Sequence, residues 1–222
     1  MVTIGILGGI ASGKTFIAKQ LETLGAYRID ADRLAHQVLD EPEVQSVLMA
    51  RWGDRVLNAS GSIDRSAVAE IVFPKTESAS GETVTEDKSS LGGTSELAFL
   101  EAVTHPRIAE GISDQIRARA AEETITAVVL DAAVLLKAGW NHLCDTILFV
   151  EVPSWQRLQR AVARGWSKEE FAVREAAQES LDTKRRVADW VIDNGGTPDR
   201  TFAQVQQFWQ TLPASPPRSG TH

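Results

Sequence analysis

Eight consecutive residues near the start of the chain carry the first chemical signal: Gly8, Gly9, Ile10, Ala11, Ser12, Gly13, Lys14 and Thr15. They fit G-x-x-x-x-G-K-[ST], between an apolar β-branched run and an amphipathic run, as a strand–loop–helix phosphate site requires. Glycines let backbone N–H groups turn inward around phosphate oxygens, and the N-terminus of the following helix adds partial positive charge. Lys14 can reach the β- and γ-phosphates, and the Thr15 hydroxyl can ligate Mg²⁺. The stretch from Gly9 through Phe16 is therefore expected to bind ATP with Mg²⁺.

Acidic and basic residues elsewhere supply what a phosphoryl transfer needs. Asp30-Ala31-Asp32 closes a second short apolar run. The carboxyl ends of parallel strands line the ligand crevice, so a carboxylate there can orient an acceptor hydroxyl or take its proton. Asp32 is the candidate base, with a helix cap as the alternative role, and Asp30 is a structural or metal-side partner. Asp131 ends the apolar run Val128-Val129-Leu130 and is placed either to hold the Mg²⁺ shell through water or to cap a helix. Residues 157–186 bring Arg157, Arg160, Arg164, Lys168, Arg174, Lys184, Arg185 and Arg186 against five acidic residues, a local positive excess in a chain of net charge −7. Arg160 and Arg164, at i and i+4, are expected on one helical face, closing over the triphosphate as a lid. A solvated helix is the plainer alternative, and the favoured one for Arg185 and Arg186. The guanine-specifying N-K-x-D and an extended acidic Walker B run are both absent, which leaves chiefly small-molecule kinases.

These groups have to be positioned by a fold. Apolar runs at Val2–Leu7, Ala26–Ile29, Thr126–Leu130, Thr146–Val152 and Trp190–Ile192 read as strands. Helical patterns cover Thr15–Leu24, about 32–40, 43–52 and 64–73, then Glu96–Glu123 and Phe202–Leu212. Strands alternating with helices give an α/β class with a parallel sheet covered on both faces. His105-Pro106 falls inside a helical region, so two helices are expected to meet at His105, which could face a ligand. Thr76–Glu96 is rich in Ser, Thr, Gly and Glu and reads as a flexible insertion, and Pro213–His222 as a disordered tail. Residues 1–212 are expected to form one domain.

Composition narrows the class further. With 222 residues, 43% hydrophobic and 24% charged, the chain is an ordinary globular protein. Its acidity makes nucleic acid and anionic membrane poor partners. The single cysteine, Cys144, excludes a disulfide framework and sits in an apolar run, where a buried inert thiol is expected. The four histidines show no metal-ligand spacing. The six tryptophans are scattered, as core or pocket walls would be. No apolar run approaches a membrane span, and the N-terminus lacks a signal peptide's basic region, so a cytoplasmic monomer or weak homo-oligomer is expected.

The ordered set of motifs resembles the dephospho-CoA kinase family from about residue 3 to 208. It comprises the loop at 8–15, Leu24-Gly25 leading to Ile29-Asp30-Ala31-Asp32 with His36 beyond, Ile63-Asp64-Arg65 before Ile71-Val72-Phe73, and His105-Pro106-Arg107-Ile108. Arg160 and Arg164 match the lid arginines, Arg174 with Gln178 an R-x-x-x-Q pair, and Lys184 with Ala188-Asp189 the run before Val191-Ile192-Asp193-Asn194-Gly195. The resemblance implies transfer of the ATP γ-phosphate to the ribose 3′-hydroxyl of dephospho-CoA, the last step of coenzyme A synthesis, with Mg²⁺. It also implies a nucleotide-binding core, a helical acceptor subdomain and a lid at about 157–186. Asp32 would be the base or hydroxyl-orienting group, and His36, Arg65, His105 and Arg160 would contact the acceptor, with Lys14, Arg160 and Arg164 serving the transferred phosphate. The chain departs from the pattern at Phe16, where a hydroxyl residue is usual, at Asp131-Ala132-Ala133-Val134, where a proline-containing turn is usual, and at the 76–96 insertion. The competing readings are another small P-loop kinase, acting on a nucleoside monophosphate or small alcohol, and a nucleotide-binding module without turnover.

Overall fold

The computed structural model describes residues 1–73, 91–122 and 124–213. Residues 76–90 of the expected insertion and 214–222 of the expected tail lie outside these. Five parallel strands form the sheet: β1 (Val2–Gly8), β2 (Ala26–Asp30), β3 (Ala127–Asp131), β4 (Thr146–Glu151) and β5 (Trp190–Asp193), in the order β2-β3-β1-β4-β5. The helices are α1 (Lys14–Thr23), α2 (Ala31–Leu39), α3 (Pro42–Trp52), α4 (Arg65–Val72), α5 (Leu91–Ala120), α6 (Ser154–Val162), α7 (Lys168–Ala176), α8 (Leu181–Arg186) and α9 (Pro198–Thr211). The sequence patterns locate all five strands within one or two residues.

The chain divides into two compact units, Met1–Asp32 with Ile112–His222, and Arg33–Gly111. The first holds the whole sheet. Every residue of β1 is buried, because a central parallel strand has neighbours on both edges and covered faces. Ile4, Ile6, Ile17, Leu21, Val129, Leu148, Val205 and Phe208 form its core between the sheet, α1 and α9. Strand starts are held by side chains: the Asp145 carboxylate accepts the Thr3 N–H at 2.8 Å and the Asp189 carboxylate accepts the Ile147 N–H at 2.8 Å.

The second unit is helical. Leu34, Val38, Val44, Leu48, Trp52, Val56, Ile63, Val68, Val72 and Ile108 are its buried apolar residues. Asp64 caps α4, accepting from the N–H groups of Ser66 at 2.8 Å and Ala67 at 3.3 Å. Glu96 accepts from Arg51 at 2.7 Å and from the Trp52 indole at 2.6 Å. Residues 91–96, expected within the flexible insertion, instead open α5.

The expected helix break at His105 is corrected. α5 runs unbroken from Leu91 to Ala120 with Pro106 inside it. A proline there removes one intrahelical hydrogen bond and crowds the preceding turn. Burial of Thr104, Ile108 and Ile112, spaced four apart along one stripe, favours continuation, and the Thr104 hydroxyl bonds back to the Leu100 carbonyl at 2.8 Å. Cys144 is half-buried, its thiol pushed up to about 12 chiefly by burial, which makes it an inert packing group. No helix among the described residues is long and apolar enough to cross a membrane.

Phe208 fills the space between α9 and the sheet and is fully buried. Phe208→Ala should lower unfolding stability by ~3–5 kcal/mol, the usual range for removing a buried aromatic. Denaturant unfolding followed by far-UV dichroism checks this, and a loss under about 1 kcal/mol would show that the site collapses around the cavity.

Candidate active site

β1 sits between β3 and β4, so its carboxyl end opens at the middle of the sheet, and the loop after it turns there. The Ser12 N–H bonds the Gly9 carbonyl at 3.2 Å and closes the turn. Ala11 has φ 56° and Gly13 φ 93°, left-handed backbone that points successive N–H groups to one side. A Cβ at Gly13 would also run into the Asn194 amide, so glycine is required twice over at that position. Gly13 is the N-cap of α1, and no side chain caps that end. The first N–H groups of α1 are therefore available to an anion.

Cations surround this turn. The Lys14 ammonium donates to the Gly8 and Gly9 carbonyls at 3.3 and 3.1 Å, folded back on its own loop. Its pKa is lowered to about 8, first by burial and then by repulsion from Lys184 and Arg157, while Asp131 and Asp32 pull it the other way. Arg157 is buried on α6. It pairs with Glu175 at 2.5 Å, donates to the Val152 carbonyl at 3.3 Å and lies 5.6 Å from the centre of the Phe171 ring. A Cβ at Gly9 would come within 2.8 Å of the Arg157 guanidinium, so the second glycine of the loop permits this close approach. Lys184, buried on α8, donates to the side-chain amide oxygen of Gln178 at 2.8 Å, and burial lowers its pKa. A cavity of about 470 Å³, lined in part by Gly9, Pro153, Arg157, Leu181 and Asp193, opens beside the loop.

Carboxylates meet the same turn from β2 and β3. Asp30 and Asp131 are paired in register at the ends of those strands. The Thr15 hydroxyl donates to Asp131 at 3.2 Å. Arg28 donates to Asp131 through both Nε at 3.2 Å and a terminal nitrogen at 2.8 Å, and its terminal nitrogen reaches Asp30 at 3.5 Å. No helix follows Asp131 directly, so the capping role does not apply to it. Asp32 is the second residue of α2, exposed in its first turn, rather than the residue that caps it.

The expectation that Arg160 and Arg164 share one helical face is corrected. α6 ends at Val162 because Gly165 turns the chain with φ 89°, and Arg164 lies beyond the helix, exposed. The Arg160 guanidinium donates to two backbone carbonyls, Asn194 at 2.8 Å and Ser12 at 3.4 Å. Phe16, the departure noted in the loop, is 39% exposed. Arg174 stacks 4.1 Å from the Trp166 ring centre, and the Gln178 side chain accepts from Lys184.

The structure thus gathers Lys14, Thr15, Asp30, Asp131 and Arg160 around the loop of the first unit. His36, Arg65 and His105 belong to the second unit: His36 exposed on α2, Arg65 exposed at the start of α4 next to the capping Asp64, and His105 half-buried on α5. Four contributors were missed by sequence reasoning: Arg28, Arg157, Lys184 and Asn194. Arg28 carried a signal, since it alternates with Asp30 on one face of a strand ending at the crevice. Arg157 and Lys184 were hidden in the charged run 157–186, whose expected lid role rested on Arg160 and Arg164, and Asn194 in a strand-stop signal.

A family model described as dephospho-CoA kinase matches residues 2–82 and 91–199. The dephospho-CoA kinase of Thermobifida fusca is 36% identical over 215 residues, covering 96% of this chain and 96% of its own. A crystal structure of a Thermus thermophilus protein superposes with TM-score 0.74 at 28% identity, over 96% of this chain and 98% of that one. The dephospho-CoA kinase of Campylobacter jejuni, at 22% identity, superposes with TM-score 0.60 over 95% and 96% of the two chains and shares the fold.

The Lys14 environment has a consequence in pH. With the folded pKa near 8 and the unfolded one at 10.5, the cost of burying the charge is fully present below pH 8. It is relieved as pH rises from 8 towards 10.5, so the unliganded chain gains stability there. A bound polyphosphate favours the charged form, so binding ATP at pH 8 should take up about half a proton. Calorimetry in two buffers of different ionisation heat measures the uptake. Lys14→Arg, charged throughout, should bind without it, and equal uptake by both chains would exclude Lys14 as the source.

Proposed function

The chain belongs to the dephospho-CoA kinase family, and we propose that it transfers the γ-phosphoryl group of ATP to the ribose 3′-hydroxyl of dephospho-CoA, giving coenzyme A and ADP. The observation that carries this reading is the charge arrangement at the loop. The Lys14 ammonium feels Asp32 and Asp131 as attractive partners, and Thr15 touches Asp131. A cation for the phosphoryl oxygens and carboxylates for the acceptor and the metal therefore meet at one helix N-terminus.

Chemistry on this arrangement runs as an in-line displacement. The acceptor hydroxyl oxygen forms a bond to the γ-phosphorus, and the bond from that phosphorus to the β,γ-bridging oxygen breaks. Asp32 takes or holds the acceptor proton, and ADP leaves with the bridging oxygen. The loop N–H groups hold the β-phosphate. Lys14 exchanges the Gly8 and Gly9 carbonyls for the γ-phosphate oxygens, where charge grows in the transition state. A hydroxyl and a carboxylate 3.2 Å apart suit Mg²⁺, which takes hard oxygen ligands and few of them from protein. When bound by Thr15 and Asp131 it would neutralise phosphate charge. The resemblance assigns His36, Arg65, His105 and Arg160 to the acceptor, and Arg164 to ATP.

ADP release against a panel of acceptors, dephospho-CoA among them, tests the substrate. Turnover on a nucleoside monophosphate instead would favour the runner-up kinase reading. Lys14→Ala should abolish transfer with any acceptor. Asp32→Asn should bind ATP normally and lose roughly 10²-fold or more in turnover, the size of a general-base effect. Asp131→Asn should first raise the Mg²⁺ concentration required. Full turnover in Asp32→Asn, with loss in Asp131→Asn, would reverse the two assignments.

A further inference from the structure

Asn194 follows β5 directly and is 6% exposed. Each polar group of this residue is engaged. Its N–H donates to the Glu151 carbonyl at 2.9 Å, and its carbonyl accepts from Arg160 at 2.8 Å. Its side-chain amide donates to the Ser12 carbonyl at 2.7 Å, and its amide oxygen accepts from the Thr201 hydroxyl at 3.1 Å. Thr201, fully buried on α9, also bonds the Thr197 carbonyl at 3.2 Å. Arg160 adds a second, longer bond to the Ser12 carbonyl at 3.4 Å.

The Ser12 carbonyl is thus held from outside the loop. No peptide in the described chain is cis, so the carbonyl of Ser12 and the N–H of Gly13 point in opposite directions from one peptide plane. Fixing the carbonyl towards Asn194 turns the Gly13 N–H the other way, into the anion cradle ahead of α1. A free peptide plane could flip and present a carbonyl oxygen, and its negative end would repel phosphate.

We infer that Asn194, oriented by Thr201, is a positioning residue that locks the Ser12–Gly13 peptide so that the loop presents an N–H and not a carbonyl to the phosphates of ATP. Arg160 reinforces the same carbonyl, which gives it a structural task in the loop whatever else it touches. The inference rests on the loop being an ATP site.

Asn194→Asp keeps the shape, removes the donor and sets a carboxylate against the Ser12 carbonyl. Its KM for ATP should rise about tenfold or more, the scale of leaving a buried polar group unsatisfied. Thr201→Val leaves Asn194 itself intact and removes the hydroxyl that orients its amide, along with that hydroxyl's bond to the Thr197 carbonyl, and its KM for ATP should rise about two- to fivefold. Both variants should leave KM for dephospho-CoA within about twofold and kcat within about threefold, because the change acts on ground-state nucleotide binding. Calorimetric ATP affinity without acceptor should follow the same order, and thermal unfolding reports whether each variant folds. Unchanged ATP affinity in either folded variant overturns the inference, as does an equal rise in KM for both substrates. If Asn194→Asp does not fold, Thr201→Val decides alone. A wild-type chain that binds no ATP would overturn the loop reading together with this one, whereas normal wild-type binding with unaltered variants overturns only this one.

Discussion

Three cations set around one backbone turn are the constraint on which the rest of the first unit depends. Burial first, and then repulsion from Lys184 and Arg157, hold Lys14 well below the usual lysine range. Such a cluster is costly without an anion, and partial burial makes it more so. The protein offsets it with fixed partners rather than with solvent. Glu175 pairs with Arg157, Phe171 offers it a ring face, Gln178 accepts from Lys184, and the loop's own carbonyls accept from Lys14. The result is positive potential held in place before any ligand arrives, and that preorganisation is what a phosphoryl-transfer site needs.

The opposite charge is supplied from the other side of β1. β2 and β3 end level with each other, and the register sets Asp30 beside Asp131. Two adjacent carboxylates would repel, and Arg28 sits between them, bonded to both. Arg28 therefore does for the acidic half what Glu175 does for the basic half. Asp131 shares one oxygen between Arg28 and Thr15, which ties the sheet to the first turn of α1. The carboxylates are fixed by strand pairing, Arg157 and Lys184 by α6 and α8 after β4, and Lys14 by the start of α1, so the two halves meet at the loop.

Burial also reassigns residues whose charge suggests the surface. Arg157 is among the largest fully buried side chains of the chain. A charged residue is rarely buried unless paired. Arg160 spends its guanidinium on backbone carbonyls, and Arg164 falls past a glycine-terminated helix. Of the arginines that spacing joined, the fold separates one from the other.

What the sequence by itself determined was everything with a local cause. The phosphate loop is legible because glycines, lysine and threonine must stand at set intervals for backbone N–H groups to face one anion. The strands are legible because parallel strands buried on both faces are unbroken apolar runs, and Asp131 and Asp32 because they follow such runs. What only the tertiary structure decided were pairings across long stretches of chain. Arg28 meets Asp131 through strand register, Asn194 meets Ser12 because β5 ends near the loop, and Arg157 meets Gly9 because α6 packs beneath it. Pro106 belongs with these: its local preference to end a helix gave way to a buried stripe that no local rule can weigh. A residue's type fixes which bonds it can make, and spacing fixes its neighbours within an element, but the partner of a buried charge or amide is chosen by which elements the whole fold brings side by side.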